Sequence, residues 1–272
     1  MMEESAEWPE LERSLRSAIE RKQLTLDYQA QVHLATGTIV GMEALARWKH
    51  PTRGAVPPAL FTRIAEESGL IHRLGAWALM EATRQLAEWH RAGYLIRVAV
   101  NVSVLQFRSE GFVDLVKRCI LANEIDPAFL ELELLERSFI FDQSSAVKTL
   151  AILKDLGVQI ALDDFGTGYS SLSHVSRLPL DCLKIDRSLV GKAAEAGRDG
   201  VVAQVILSLG RALRLRVVAE GVETMTQARF LIQHQCDEAQ GSLFARPGPA
   251  DIALQLLAAR TLRPGSQGEW NE

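Results

Sequence analysis

The sequence predicts an α/β fold, a (β/α)8-type barrel that is mostly parallel with one antiparallel strand near the N-terminus. Three observations carry this expectation. Short β-rich runs recur along the chain, at 25–31, 38–46, 96–102, 129–135, 158–163, 182–186, 215–220 and roughly 236–244. Helical patterns separate most of them, which implies right-handed βαβ units and a largely parallel sheet. A chain of 272 residues, 47% hydrophobic and 24% charged, suits one large domain of this size.

Taken in order, residues 10–22, ELERSLRSAIERK, place Leu11, Leu15, Ala18 and Ile19 on one helical stripe. Residues 1–22 therefore read as an N-terminal helix or linker, either covering the domain or connecting it to an upstream one. The barrel occupies 23–260. Its first two strands, within LTLDYQAQVHLATGTIVGMEALARW, look like a hairpin turning at ATGT, which makes one strand antiparallel. FTRIAEESGLIHRLGAWALMEATRQLAEWHRAG reads as one long amphipathic helical stretch ending at Gly93. SSAVKTLAILKDLG ends at Gly157, and VVAQVILSLGRALRL precedes another strand. Glycine past the end of a helical stretch is a stop signal. The last residues, 261–272, TLRPGSQGEWNE, read as a loose tail.

Composition narrows the function. A net charge of −4 argues against a binder of nucleic-acid polymers, which would carry a basic face. Cys119, Cys182 and Cys236 lie far apart and form no CxxC pair, as expected of buried thiols in a reducing compartment. No signal peptide and no apolar run near 18 residues is visible. The expectation is a soluble, cytoplasmic chain without direct membrane contact, either free-standing or the cytoplasmic module of a membrane-anchored protein.

Polar residues gain meaning from where they fall. TIVGMEAL reaches Glu43, IRVAVNVS reaches Asn101, and FLELELLE reaches Glu133 and Glu136. VQIALDD reaches Asp163 and Asp164, and CLKID reaches Lys184 and Asp186. LRVVAEGVE reaches Glu220 and Glu223, and CDEAQGSLF reaches Gln240. All sit at or near the C-terminal end of an expected strand, the face where barrel enzymes keep their chemistry. One such acid is commonly a helix cap. Several around one mouth are different, because two carboxylates about 4 Å apart repel by roughly 4 kcal/mol at an effective dielectric near 20. They require protons or cations. Oxygen-only ligands suit hard ions such as Mg²⁺ or Mn²⁺, whereas zinc would draw in His or Cys.

With these residues in view, the chain resembles the EAL-domain family, phosphodiesterases of the bacterial messenger cyclic di-GMP. The resemblance rests on an ordered set: LDYQAQ at 26–31, EAL at 43–45 within GMEALARW, NVS at 101–103, LELELLE at 130–136, DDFGTGYSSL at 163–172, LKID at 183–186, AEGVET at 219–224, QG at 240–241 and LFARP at 243–247. It implies a modified TIM barrel that opens cyclic di-GMP to linear 5′-pGpG with two divalent ions, Mg²⁺ or Mn²⁺. It implies Glu43, Asn101, Glu133, Asp163, Asp164 and Glu220 as metal ligands. Lys184 would sit beside the catalytic water, with Glu220 and Gln240 completing the catalytic group. Gln29, Glu43, Leu45 and Arg47 would meet substrate, Gln29 at a guanine edge and Arg47 at a phosphate. Glu136, Asp186 and Glu223 would support the glycine loop and the site. The implied partners are cyclic di-GMP, a second copy of the chain, and an upstream sensory or GGDEF-type domain in a longer protein. The alternative within the same resemblance is a non-catalytic cyclic di-GMP receptor that signals through its dimer.

The chain departs from the family's pattern at four places. Ala30 stands where the family has proline, Leu135 and Arg137 replace a threonine and a serine around Glu136, and Ser242 replaces an aromatic after QG. None of these positions is an expected metal ligand.

Overall fold

The computed structural model describes residues 2–21, 23–139, 143–166, 175–193 and 198–262. After helix α1 (Met2–Glu20) the chain forms β1 (Leu24–His33), β2 (Ile39–His50) and a short β3 (Gly54–Val56). Then come α2 (Pro58–Glu67), α3 (Ile71–Arg91), β4 (Arg97–Val102), α4 (Val104–Phe107), α5 (Phe112–Asn123) and β5 (Leu130–Leu135). The second half runs α6 (Gln143–Asp155), β6 (Gln159–Phe165), β7 (Cys182–Ile185), α7 (Arg187–Ala193), α8 (Arg198–Leu213), β8 (Arg216–Ala219), α9 (Met225–Gln233), β9 (Glu238–Gln240) and α10 (Ala250–Ala259).

The strands pair in the order β1-β9-β8-β7-β6-β5-β4-β2-β3, and β1 also pairs with β2. That extra ladder closes an eight-stranded barrel and leaves β3 as a flap on β2. β1 is antiparallel to both of its neighbours, whereas β2 and β4 through β9 pair in parallel. The expected modified (β/α)8 barrel with one reversed strand is present. The hairpin turns where ATGT stands, with His33 N–H donating to the Thr38 carbonyl at 2.9 Å.

Strand side chains alternate between two faces. The outward face is apolar and packs beneath the helices: Val98, Val100, Leu130, Leu132, Leu134, Ile160, Leu162, Leu183, Ile185 and Val217 all belong to one buried cluster. The inward face is layered. A small apolar plug of Ala161, Cys182 and Val218 forms a separate buried cluster. Polar residues lie on that same face on both sides of it. A further apolar cluster joins Leu11, Leu15 and Ala18 of α1 to Phe61 and Ile64 of α2 and to Leu24 and Trp48 of the hairpin.

The sequence and the structure differ at three points. The stretch expected as one long helix is two, α2 and α3, broken at Gly69, whose φ of +72° is a left-handed conformation that side chains resist. The last expected strand shrinks to β9, because the chain turns sharply after Gln240. At the start of the expected tail, Leu262 N–H donates to the Gly37 carbonyl at 2.8 Å and Thr261 bridges to Thr38. All three cysteines are buried and unpaired.

Candidate active site

The barrel mouth is built from inward-facing residues at one level of the strands. β2 supplies Glu43, β4 Asn101, β5 Glu133, β6 Asp163, β7 Lys184 and β9 Gln240, while Glu220 stands just past β8. β1 runs the other way, so its contribution, Gln29, sits directly opposite Glu43 in the antiparallel ladder.

Lys184 is the hub. Its ammonium lies 2.6 Å from Glu133 Oε1, 2.5 Å from Glu220 Oε1, and 3.7 Å from both Glu43 Oε2 and Asp163 Oδ1. The Lys184 and Glu133 contacts are charge contacts without aligned hydrogen bonds, and both Glu133 oxygens are buried without a hydrogen-bond donor. Glu43 is held from two sides: Asn101 Nδ2 donates to its Oε1 at 2.7 Å, and Gln240 Nε2 donates to its Oε2. Gln240 Nε2 also donates to Gln29 Oε1 at 3.0 Å, and Gln29 Nε2 donates to the Ala245 carbonyl at 2.9 Å.

The electrostatics follow from burial and crowding. Burial would strip the proton from Lys184, but the charges of Asp163, Glu133, Glu220 and Glu43 outweigh it and hold the ammonium well above the ordinary lysine range. Burial lifts the Glu133 carboxyl well above the carboxylate range, and Glu43's charge adds to the effect. Burial also works upward on Glu43, yet Lys184 and the two amides prevail and hold it low. Glu220 is pushed up to about 7, mainly by burial and against the pull of Lys184. Four carboxylates around one ammonium leave up to three negative charges unmatched, which is a demand for further cations.

Asp163, Asp164 and Glu220 bring carboxylate oxygens within 4.8 Å of one another, a grouping able to hold a metal ion. Asp164 adopts a left-handed backbone, φ +55°, and its N–H donates to Asp163 Oδ1 at 2.9 Å. That turn lets adjacent carboxyls diverge while both stay at the mouth. Burial and the charges of Asp163 and Asp186 raise the Asp164 carboxyl. A divalent ion fits this donor set: it is all oxygen, it includes a buried carboxylate lacking donors at Glu133, and Gln240 Oε1 is likewise buried and unpaired.

The remaining expected residues are more scattered. Leu45 and Arg47 continue the face of Glu43 up β2, and Arg47 contacts Asp27 and the Ala46 carbonyl, outside the carboxylate cluster. Asp186 accepts from the Ser188 N–H at 2.9 Å and from its hydroxyl, which makes it a cap for α7. The Glu223 side chain is exposed, and its backbone N–H donates to Gln227 Oε1 at 2.7 Å. Glu136 is half-buried in the turn after β5, but of the segment it was expected to support, DDFGTGYSSL at 163–172, residues 167–172 lie outside the described residues. Two features escaped the sequence reading. One is Asp27, signalled only by its two-residue spacing from Gln29. The other is an ionic network at the far end of the barrel interior, where Glu131 and Glu238 are shared by Arg97 and Arg216.

Comparison with known proteins follows the same outline. The EAL domain family model matches residues 12–247. The chain is 44% identical over 246 residues to "Bifunctional diguanylate cyclase/cyclic di-GMP phosphodiesterase MucR" of Pseudomonas aeruginosa, covering 90% of this chain and 36% of that protein. It is 41% identical over 251 residues to "Cyclic di-GMP phosphodiesterase NbdA" of the same organism, covering 92% of this chain and 32% of that protein. The chain thus spans about a third of the length of these curated relatives. Among solved structures, "PaMucR Phosphodiesterase, c-di-GMP complex" superposes with a TM-score of 0.86 at 43% identity, covering 89% of this chain and 98% of that one. The ordered motifs, the reversed first strand and the acidic mouth all converge with these matches: the chain belongs to the EAL domain family.

Proposed function

We propose that the chain is a metal-dependent phosphodiesterase that hydrolyses cyclic di-GMP to linear 5′-pGpG. The observation that carries this reading is the barrel mouth itself, an oxygen-rich cluster of buried carboxylates gathered on one buried lysine. The names borne by MucR and NbdA, and the cyclic di-GMP complex of the MucR domain, support the substrate.

Glu43, Asn101, Glu133, Asp163, Asp164 and Glu220 would hold two Mg²⁺ or Mn²⁺ ions. Such ions, when bound, neutralise charge on an attacked phosphate and acidify a water. Lys184, in contact with Glu133 and Glu220, would stand beside the attacking water and stabilise the developing negative charge. Gln240 and Asn101 keep Glu43 ionised and oriented. Gln29, anchored to Ala245, presents a fixed amide for a guanine edge, and Arg47 higher on β2 meets a phosphate. Glu136 would support the glycine-containing segment DDFGTGYSSL, and the working form is a homodimer in the cytoplasm, joined in longer proteins to sensory or GGDEF-type domains. No described helix is long and apolar enough to cross a membrane.

The test is to incubate the purified chain with cyclic di-GMP and Mg²⁺ or Mn²⁺ and separate the nucleotides. Formation of pGpG, abolished by chelator, is the expected result. Ca²⁺ tolerates irregular coordination, so it should permit binding with little cleavage. Tight binding with no turnover in any metal would replace this reading with that of a receptor.

A further inference from the structure

We propose that Asp27 is a positioning residue for phosphate recognition, setting the Arg47 guanidinium above the barrel mouth. The inference rests on the phosphodiesterase reading. In the β1–β2 ladder Gln29 faces Glu43, Asp27 faces Leu45 and Thr25 faces Arg47. Alternation puts all six on the inward face, climbing from the carboxylate cluster toward the rim. Asp27 and Arg47 are diagonal neighbours on that face, close enough for long side chains to meet.

They do meet. Arg47 Nε donates to Asp27 Oδ2 at 2.8 Å, and Arg47 Nη1 donates to the Ala46 carbonyl at 3.1 Å. Both side chains are about a quarter to a third exposed, 24% for Asp27 and 31% for Arg47. The carboxylate grips the guanidinium at its Nε side. The Nη2 group, and one N–H of Nη1, make none of these bonds and are left for an anion. Two opposed effects follow. The Asp27 charge weakens the pull of Arg47 on a phosphate, and the grip removes side-chain freedom that binding would otherwise have to remove. Preorganisation wins here, because the rim is partly solvated and screens the charge, whereas the ordering of a long side chain is not screened.

The experiment is steady-state hydrolysis of cyclic di-GMP at saturating Mg²⁺ by the wild type, Asp27→Asn, Asp27→Glu, Arg47→Ala and the Asp27→Asn/Arg47→Ala double variant. Thermal melts check folding, and Asp27→Asn is close to isosteric. Asp27→Asn should raise KM about tenfold with kcat within about twofold, the effect of replacing the charged acceptor of the Arg47 hydrogen bond by a neutral one. Asp27→Glu should recover part of the loss. In the Arg47→Ala background, Asp27→Asn should change KM by less than about twofold, the mark of action through Arg47. An unchanged or lowered KM in Asp27→Asn, or an equal effect with Arg47 absent, would overturn the inference. Should the wild type form no pGpG, the phosphodiesterase reading fails instead. Calorimetric titration of the same variants with cyclic di-GMP in Ca²⁺ then decides the role of Asp27 by the same pattern in Kd.

Discussion

Glu43 receives two amide donors and lies 3.7 Å from an ammonium. Changing it to glutamine sets an amide against the Asn101 and Gln240 amides and removes a charge that the proposed mechanism gives to a metal ion. Glu43→Gln should lower turnover by at least about a hundredfold, the cost of losing a group that acts chiefly on charge in the transition state. The melting temperature should stay near that of the wild type, since an unmatched negative charge is also removed. Activity near wild type at saturating Mg²⁺ would sink the assignment of Glu43. At this scale the mouth was legible in advance: Glu43, Asn101, Glu133, Asp163 and Lys184 each lie at or near the end of a β-rich run, and strand ends converge in any barrel. The Asp27–Arg47 pair was not legible, because twenty residues separate the two and only the antiparallel register makes them diagonal neighbours. Asp186 and Glu223 show what a position after a strand leaves open: Asp186 caps α7 while its charge reaches Asp164, and Glu223 exposes its side chain.

Among the elements, β9 ends at a close approach of two backbone segments. A Cβ placed on Gly241 would stand 2.1 Å from the Val222 carbonyl oxygen and 2.3 Å from its nitrogen, both backbone atoms that cannot rotate away. Val222 N–H donates to the Gln240 carbonyl at 3.0 Å, so this contact seats Gln240 at the mouth. Gly241→Ala should cost at least about 1–3 kcal/mol in urea unfolding, the range for overpacking. It should also cut turnover by displacing Gln240. Retention of both stability and kcat would mean that the loop after β8 yields freely. The element pattern explains what sequence could and could not place. Strands β4 to β8 fell within a residue or two because both their ends and their apolar faces are marked. β3 went unnoticed, since three residues beside a turn carry no periodicity. The α2–α3 break was hidden because the apolar stripe continues across Gly69 while the backbone does not.

For the molecule as a whole, the barrel interior holds two ionic ends separated by the plug of Ala161, Cys182 and Val218. At the far end Glu131 is fully buried and shared by Arg216 and Arg97. Sequence alone shows Glu131 and Glu133 as near twins within LELELLE. Closure of the barrel tells them apart, because residues two apart on one face sit at successive levels. Glu131→Leu leaves Arg97 and Arg216 to share Glu238. It should destabilise the chain by about 3–5 kcal/mol, the range for breaking a buried pair, while kcat of the folded fraction changes by less than about threefold. A collapse of kcat in folded protein would show that the plug does not insulate the two ends.

The three buried thiols lend themselves to a use unconnected with catalysis. Burial lifts Cys119 to about 11 and raises Cys182 and Cys236 well above the ordinary thiol range, so none is an appreciable thiolate at neutral pH. A disulfide reagent such as DTNB should therefore find the native chain silent and release three equivalents of chromophore once it is denatured. The cysteines also sit at different depths: Cys119 on α5 in the helical layer, Cys236 in the approach to β9, and Cys182 inside the barrel. Mass spectrometry of partly labelled protein would turn them into a clock. Cys119 marks when a helix lifts off, and Cys182 marks when the barrel itself opens. If all three label at one rate, the chain opens only as a unit, and if Cys119 leads, the helical layer loosens before the strands part.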